Sequence, residues 1–278
     1  MIIDGRALAA LRREEVRKER EKFGALSLGV VSAGSSPVTQ SYVGIKKRAA
    51  EALDIAVVEY RLPAQAGLPD TATTEEIIEA VRKAGSAGHD GIILQLPLPE
   101  GTDVEAAKNE IPLMLDVDAL SDAAFDAFAR NDFPAVPPVP AAMHYILERS
   151  GVPIAGAKMT IIGRGRLVGK PAEVLFTRLG ADVRMAGRKD DLAAATREAD
   201  IIIAGAGVPA LLKPDMVKEG VVIIDGGTSE SGGMVVGDAD PACTGKASVF
   251  TPVPGGVGPI AVVEIFANLV ALKAARSS

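Results

Sequence analysis

Short runs of apolar, mostly β-branched residues recur along the chain, separated by longer stretches with helical periodicity. The runs at 28–32, 55–60, 91–95, 159–162, 182–185, 201–204, 221–225 and 248–251 predict strands. Between them, 8–23, 41–53, 74–84, 141–149, 171–179 and 214–218 predict helices, and 259–275 predicts a long final helix. Strands that are apolar almost throughout, rather than alternating, imply parallel sheets covered on both faces. The expected fold class is therefore α/β. Residues 131–140, NDFPAVPPVP, hold four prolines and predict an irregular connector. A domain junction is expected there: 1–140 form one domain, completed by the returning segment 259–278, and 141–258 form a second.

Composition narrows this only a little. A chain of 278 residues with 48% hydrophobic and 24% charged residues suits one large or two ordinary domains. Aromatic residues are 4% and tryptophan is absent, so the cores must be built from Ala, Val, Ile and Leu, which favours close-packed α/β layers. Net charge is −6 with both signs mixed, and no basic block or basic amphipathic stretch predicts a nucleic-acid or membrane partner. The single cysteine, Cys243, excludes an intramolecular disulfide and a cysteine-built metal site. His89 and His144 are far apart, so no metal centre is expected, and both are read as packing or surface residues. The first residues lack a secretory signal, and Glu264 interrupts the apolar C-terminal stretch, so no membrane span and a cytoplasmic location are expected.

The second half carries a candidate dinucleotide site. Residues 158–171 read KMTIIGRGRLVGKP: a predicted strand ends at Ile162, Gly163 and Gly165 follow at once, and Gly169 precedes a helix. Glycines there allow a tight turn and let backbone N–H groups approach a pyrophosphate at a helix N-terminus. The spacing G-x-G-x-x-x-G is one residue longer than the common fingerprint. An ordinary strand–turn–helix corner also favours glycine, but further strand–helix units follow in the rhythm of a Rossmann-type sheet. At the end of the second strand of such a sheet an acidic residue selects NAD and a basic one accommodates the 2′-phosphate of NADP. Here that point reads Ala186-Gly187-Arg188-Lys189, and Arg164 in the glycine turn can reach the same phosphate. Asp190 and Asp191 follow, and either can hold a ribose if the turn is registered differently. The expected cofactor is NADP, with NAD the alternative. Ala206 and Gly207 after the third strand, and Gly226 and Thr228 after the fourth, would let a cofactor lie against the sheet edge; tight turns alone would also account for them.

In the first half, polar residues stand in apolar frames. Tyr42 and Lys46 are four apart and share a helix face. A lysine in a partly desolvated pocket becomes usable for proton transfer near neutrality, whereas spacing alone fits a surface lysine beside Lys47 and Arg48 as well. Gln95 ends the strand GIILQ, where α/β folds place ligands, and satisfying loop backbone is its plainer role. Asp116 and Asp118 flank Val117; in an extended segment they point the same way and suit an amino-pyrimidine ring, and capping the next helix is the alternative. TPVPGGVGP at 251–259 predicts a rigid loop with bare backbone.

Together these motifs resemble the methylenetetrahydrofolate dehydrogenase/methenyltetrahydrofolate cyclohydrolase family. The matching segments run in order along nearly the whole chain: IIDGRALA (2–9), GSSPVTQSYVGIK (34–46), GIILQLPLP (91–99), DVD (116–118), IIGRGRLVGKP (161–171), VVGDAD (235–240) and TPVPGGVGP (251–259). The resemblance implies two α/β domains around a deep cleft, the first folate-binding, the second a Rossmann-type NADP domain, usually paired as a homodimer. It implies that Lys46 serves catalysis with Tyr42 beside it and Gln95 bonded to it. Asp118 would bind the pterin, and Pro254, Gly255 and Gly256 would line the substrate loop. Cofactor binding would fall to Gly163, Arg164, Gly165, Val168, Gly169, Arg188, Lys189, Ala206, Gly207, Gly226, Thr228, Gly256, Val257 and Gly258. No metal is implied.

The chain departs from the family pattern at Leu115 and Ala119 around DVD, at 135–140, at Ser35-Ser36 and at Ala261, as a diverged paralogue would. Three other functions stay open on sequence: a two-domain NADP oxidoreductase of another substrate, a binding protein with little chemistry, and a dehydrogenase with weak cyclohydrolase activity.

Overall fold

The computed structural model describes residues 1–33, 37–62, 72–187, 189–231 and 234–277. The chain divides into two compact units, Arg13–Pro138 with Ile265–Ser278, and Met1–Arg12 with Val139–Glu264. They are called here the three-stranded and the five-stranded unit.

The first helix, α1 (Gly5–Arg20), starts where the Asp4 carboxylate accepts from the N–H groups of Arg6 and Ala7. The three-stranded unit follows with β1 (Leu26–Ala33), α2 (Pro37–Glu51), β2 (Ile55–Leu62), α3 (Thr74–Ser86), β3 (Gly91–Leu94), α4 (Val104–Lys108) and α5 (Asp122–Ala129). Its strands lie in the order β2-β1-β3, all parallel. A reciprocal capping box between Thr73 and Glu76 starts α3, which buries Ile77 and Val81 against Val31, Ile92 and Leu94.

The five-stranded unit contains α6 (Pro138–Arg149), β4 (Lys158–Ile162), α7 (Gly169–Arg178), β5 (Asp182–Ala186), α8 (Leu192–Thr196), β6 (Ile201–Ala204), β7 (Val222–Asp225), the antiparallel hairpin β8 (Ser229–Ser231) and β9 (Met234–Val236), and β10 (Val249–Phe250). Its sheet order is β10-β7-β6-β4-β5, parallel throughout. The second strand, β5, lies on one side of β4 and the third, β6, on the other. Strand order therefore reverses between β4 and β6, and such a reversal opens a crevice at the carboxyl ends of the strands. Met1–Arg12 joins this unit because Ile2 bridges Phe250 and the Ile3 N–H donates to the Phe250 carbonyl at 2.9 Å.

The last helix, α9 (Val257–Ser277), contributes residues through Glu264 to the five-stranded unit and the rest to the other. It is long and apolar enough to cross a membrane, but 61% of its most apolar window is buried in the molecule, as in a core helix. Its one carboxylate, Glu264, receives the Arg12 guanidinium through two hydrogen bonds of 2.7 and 3.1 Å.

All eight expected strands form. The helix expected at 214–218 does not: Pro214–Met216 is a single 3-10 turn, ended where Val217 turns extended. The connector at 131–140 is irregular only up to Pro138, where α6 begins; prolines are tolerated in a first helical turn. The short helices α4, α5 and α8 and the β8–β9 hairpin were not expected.

Candidate active site

Lys46, Gln95 and Asp118 come together at the carboxyl edge of the three-stranded sheet. Backbone pairing runs one residue past β3, since the Gln95 N–H donates to the Val31 carbonyl at 2.8 Å. That leaves the Gln95 side chain at the strand end, only 5% exposed. Lys46 Nζ donates to Gln95 Oε1 at 3.1 Å and lies 3.6 Å from Asp118 Oδ2. Gln95 Nε2 in turn donates to the Leu96 carbonyl at 2.5 Å, which holds the amide oxygen towards the lysine. Gln95 thus satisfies loop backbone and contacts Lys46 at once. Tyr42 sits one turn before Lys46 on α2 and is 39% exposed.

The two aspartates do not point the same way, because the segment is a turn rather than extended. The Ala119 N–H donates to the Asp116 carbonyl at 3.1 Å, and Ala119 has φ +49°. Asp116 is fully buried and accepts from the N–H groups of Leu120 and Ser121 at 3.0 and 2.8 Å. Burial raises its carboxyl above the usual range, with those hydrogen bonds opposing. Asp116 therefore builds the turn, and Asp118 is the carboxylate presented to Lys46.

Asn268, on α9, holds the same segment and was missed from sequence. Its Nδ2 donates to the Val117 and Val136 carbonyls at 2.8 and 2.7 Å, and its Oδ1 accepts the Val136 N–H at 3.0 Å. A lone asparagine in an apolar helix was the only signal available. His89, buried between Ser27 Oγ at 3.0 Å and Tyr60 Oη at 2.9 Å, is a packing residue, and burial lowers its pKa.

In the five-stranded unit the glycine turn between β4 and α7 packs backbone on backbone. A Cβ on Gly169 would lie 2.1 Å from the Gly163 carbonyl oxygen, so only glycine fits. Gly163 has φ +106°, and no side chain caps α7 at Val168. This leaves a helix N-terminus that no side chain caps, a setting that favours an anion through the helix dipole, while the Lys170 N–H donates to the Gly165 carbonyl at 3.0 Å. Arg164, its side chain 60% exposed, lies beside the end of β5: Nη2 donates to the Met185 carbonyl at 3.3 Å and is 3.8 Å from Asp190 Oδ2. Asp190 also accepts the Gly187 N–H at 2.8 Å, while Asp191 caps α8 through the Ala194 N–H. Lys189 is exposed; Arg188 lies outside the described residues, as do Ser35 and Ser36.

Gly165 and Gly258 are exposed, and Val168 and Thr228 border the β4 and β7 turns. Pro254, Gly255 and Gly256 form the loop before α9, where the Gly5 N–H donates to the Gly255 carbonyl at 2.9 Å. The start of α1 sits so close that a Cβ on Gly5 would lie 1.8 Å from the Gly256 carbonyl oxygen. Val257 is buried at the first position of α9.

Sequence reasoning also missed two acids at this sheet edge. Asp225, at the end of β7, accepts from Gly227 and Ala239 N–H groups at 2.9 and 2.8 Å, and burial pushes its carboxyl up to about 6. Asp238 accepts from Ala206, Gly207 and Val208, the loop after β6. Each stands inside a stretch noted for other reasons, and each has a partner distant in sequence: Ala239 for Asp225, and Ala206 to Val208 for Asp238.

One unit carries a parallel sheet with a glycine-lined turn at a helix start, the other gathers lysine, amide and carboxylate at a strand end, and the class these define is a nucleotide-dependent α/β enzyme. Residues 3–118 match the catalytic domain of tetrahydrofolate dehydrogenase/cyclohydrolase, and 137–277 match its NAD(P)-binding domain. The chain belongs to the tetrahydrofolate dehydrogenase/cyclohydrolase family. It is 37% identical to bifunctional protein FolD of Roseiflexus castenholzii, covering 99% of this chain and 96% of that protein. With FolD of Aquifex aeolicus the identity is 34%, over 96% and 93%. The bifunctional FolD structure from Campylobacter jejuni superposes with a TM-score of 0.91 at 31% identity, covering 99% of each chain. The Trypanosoma brucei enzyme, solved with NADP cofactor and an inhibitor, gives 0.90 at 29% identity, over 100% and 98%.

Proposed function

We propose that this protein oxidises 5,10-methylenetetrahydrofolate to the 5,10-methenyl form with NADP⁺ and hydrolyses that product to 10-formyltetrahydrofolate. The observation that carries this is the Lys46–Gln95–Asp118 cluster in a chain of this family. Oxidation removes hydride from the one-carbon bridge and leaves a cation shared between the two folate nitrogens. A bound nicotinamide supplies the hydride acceptor. Asp118 binds the pterin ring as hydrogen-bond acceptor, and Pro254, Gly255 and Gly256 shape the backbone of the substrate loop. Water then adds to the methenyl carbon, one proton is lost, and the ring opens. Lys46 moves protons in that step, Gln95 orients its ammonium group, and Tyr42 supports it on the same helix face.

Cofactor binding is assigned to the turn of Gly163, Gly165, Val168 and Gly169, with Arg164, Arg188 and Lys189 for the 2′-phosphate. Ala206, Gly207, Gly226, Thr228, Gly256, Val257 and Gly258 complete the site. The exposed Arg164 guanidinium beside β5 favours NADP over NAD. We further read the protein as a cytoplasmic homodimer.

The test follows nucleotide reduction and the methenyl chromophore separately, with methylenetetrahydrofolate and either NADP⁺ or NAD⁺. Reduction with NADP⁺ and turnover of the methenyl product beyond its spontaneous hydrolysis are expected. No reduction with either nucleotide would refute the dehydrogenase, and a persistent methenyl product would leave a monofunctional enzyme.

A further inference from the structure

The loop after β6 offers three consecutive backbone donors, and all three point at one carboxylate of the chain itself. Asp238 is fully buried; its Oδ2 accepts from Ala206 at 2.5 Å and Gly207 at 3.0 Å, and its Oδ1 from Val208 at 2.8 Å. Successive N–H groups turned inward in this way form an anion-binding nest, the device that nucleotide sites turn on a phosphate. Here the nest is already filled.

Its place gives this weight. The β6 loop and the β4 turn flank the reversal of strand order, so they are the two walls of the crevice in which sheets of this topology hold a dinucleotide. They are in contact: a Cβ on Gly163 would lie 2.5 Å from the Gly205 carbonyl oxygen, and one on Gly205 would lie 2.4 Å from the Val168 side chain. The turn after β7 closes on the same group, since a Cβ on Gly227 would lie 2.3 Å from the Asp238 carboxyl carbon. On its other side, the Leu212 N–H donates to the Asp238 carbonyl at 2.9 Å.

We propose that Asp238 is a positioning residue for the nicotinamide cofactor, acting through the loop it holds. Its carboxylate occupies the nest of Ala206–Val208 and fixes that loop against the β4 turn. Ala206 and Gly207 then meet the cofactor through carbonyl oxygens and Cα groups rather than through N–H. The buried negative charge also turns a pyrophosphate away from the β6 loop and towards the positive dipole end of α7, which no side chain caps. This inference rests on the dehydrogenase activity proposed above.

The test compares wild type with Asp238→Asn, which keeps one acceptor oxygen and turns an NH₂ group towards donors. Measured are NADPH affinity by fluorescence, KM for NADP⁺, and methenyltetrahydrofolate hydrolysis without nucleotide. Leaving a buried donor unpaired should weaken NADPH binding at least about tenfold relative to hydrolysis. Unchanged affinity in the folded variant overturns the proposal, as does a parallel fall of hydrolysis and nucleotide binding. Hydrogen exchange on the nucleotide-free wild type needs no variant: the Ala206, Gly207 and Val208 amides should exchange slowly, and fast exchange at all three also overturns it. A wild type that binds no nucleotide refutes the dehydrogenase and this inference together. A wild type that binds it, with an unaffected variant, refutes the inference alone.

Discussion

In the three-stranded unit the candidate chemistry is carried by side chains, an ammonium, an amide and a carboxylate meeting at a strand end. In the five-stranded unit it is carried by main chain: a glycine turn, a helix start that no side chain caps, and a loop held from behind by Asp238. Changes should act differently in the two. Replacing a side chain in the first removes a reacting group and leaves the frame. Adding a side chain in the second moves the frame and touches no reacting group.

Lys46→Met should have the largest effect. Hydrolysis of supplied methenyltetrahydrofolate should fall at least about a hundredfold, the lower range for general acid–base groups, with the far-UV circular dichroism unchanged. Hydrolysis at the wild-type rate would remove Lys46 from the mechanism. Gly169→Ala tests the backbone side. Its new methyl meets a carbonyl that cannot yield, so NADPH affinity should drop by about tenfold or more, ~1.4 kcal/mol at least. Retained affinity would mean the turn has more play than its contacts suggest.

Asp225 offers a test by pH. Its folded value of about 6 lies above the ordinary 3.8, so the folded protein favours the protonated acid. The stability it contributes is full below about 3.8 and is lost as pH rises through about 6. A carboxyl carbon NMR titration should show a midpoint near 6; one near 4 would mean that its N–H partners outweigh burial. The smallest effect is expected from Ala119→Gly. Relieving an alanine at φ +49° should raise stability by up to about 1 kcal/mol, read as a shift in denaturant midpoint. No shift would show that the turn accepts the methyl group without strain.

The fold was legible because unbroken apolar strands and alternating helices carry their own period, and all eight expected strands form. What failed was short or punctuated: 214–218 reads as helix by composition, but one turn between Pro214 and an extended Val217 cannot propagate. Of the site, the contact of Lys46 with Gln95 was anticipated through resemblance, and the approach of Asp118 to Lys46 was not. The different surroundings of Asp116 and Asp118 were not, since they depend on a turn at 117–118 that the residue pattern does not announce. Asn268 and Asp238 were invisible because their partners lie 30 to 151 residues away along the chain, and Asp225 because Ala239, 14 residues on, is one of its two.

The division of the chain also has a consequence in time. The unit that holds Lys46 is made of Arg13–Pro138 and of residues from Ile265 onward, and Asn268 ties the Asp118 turn while Arg276 donates to the Asp90 carbonyl at 2.7 Å. During synthesis all of Val139–Glu264 emerges in between, an interval on the order of ten seconds at usual translation rates. The unit that carries Lys46 is therefore nearly complete early, yet it waits for the other unit to be made before its own share of α9 arrives.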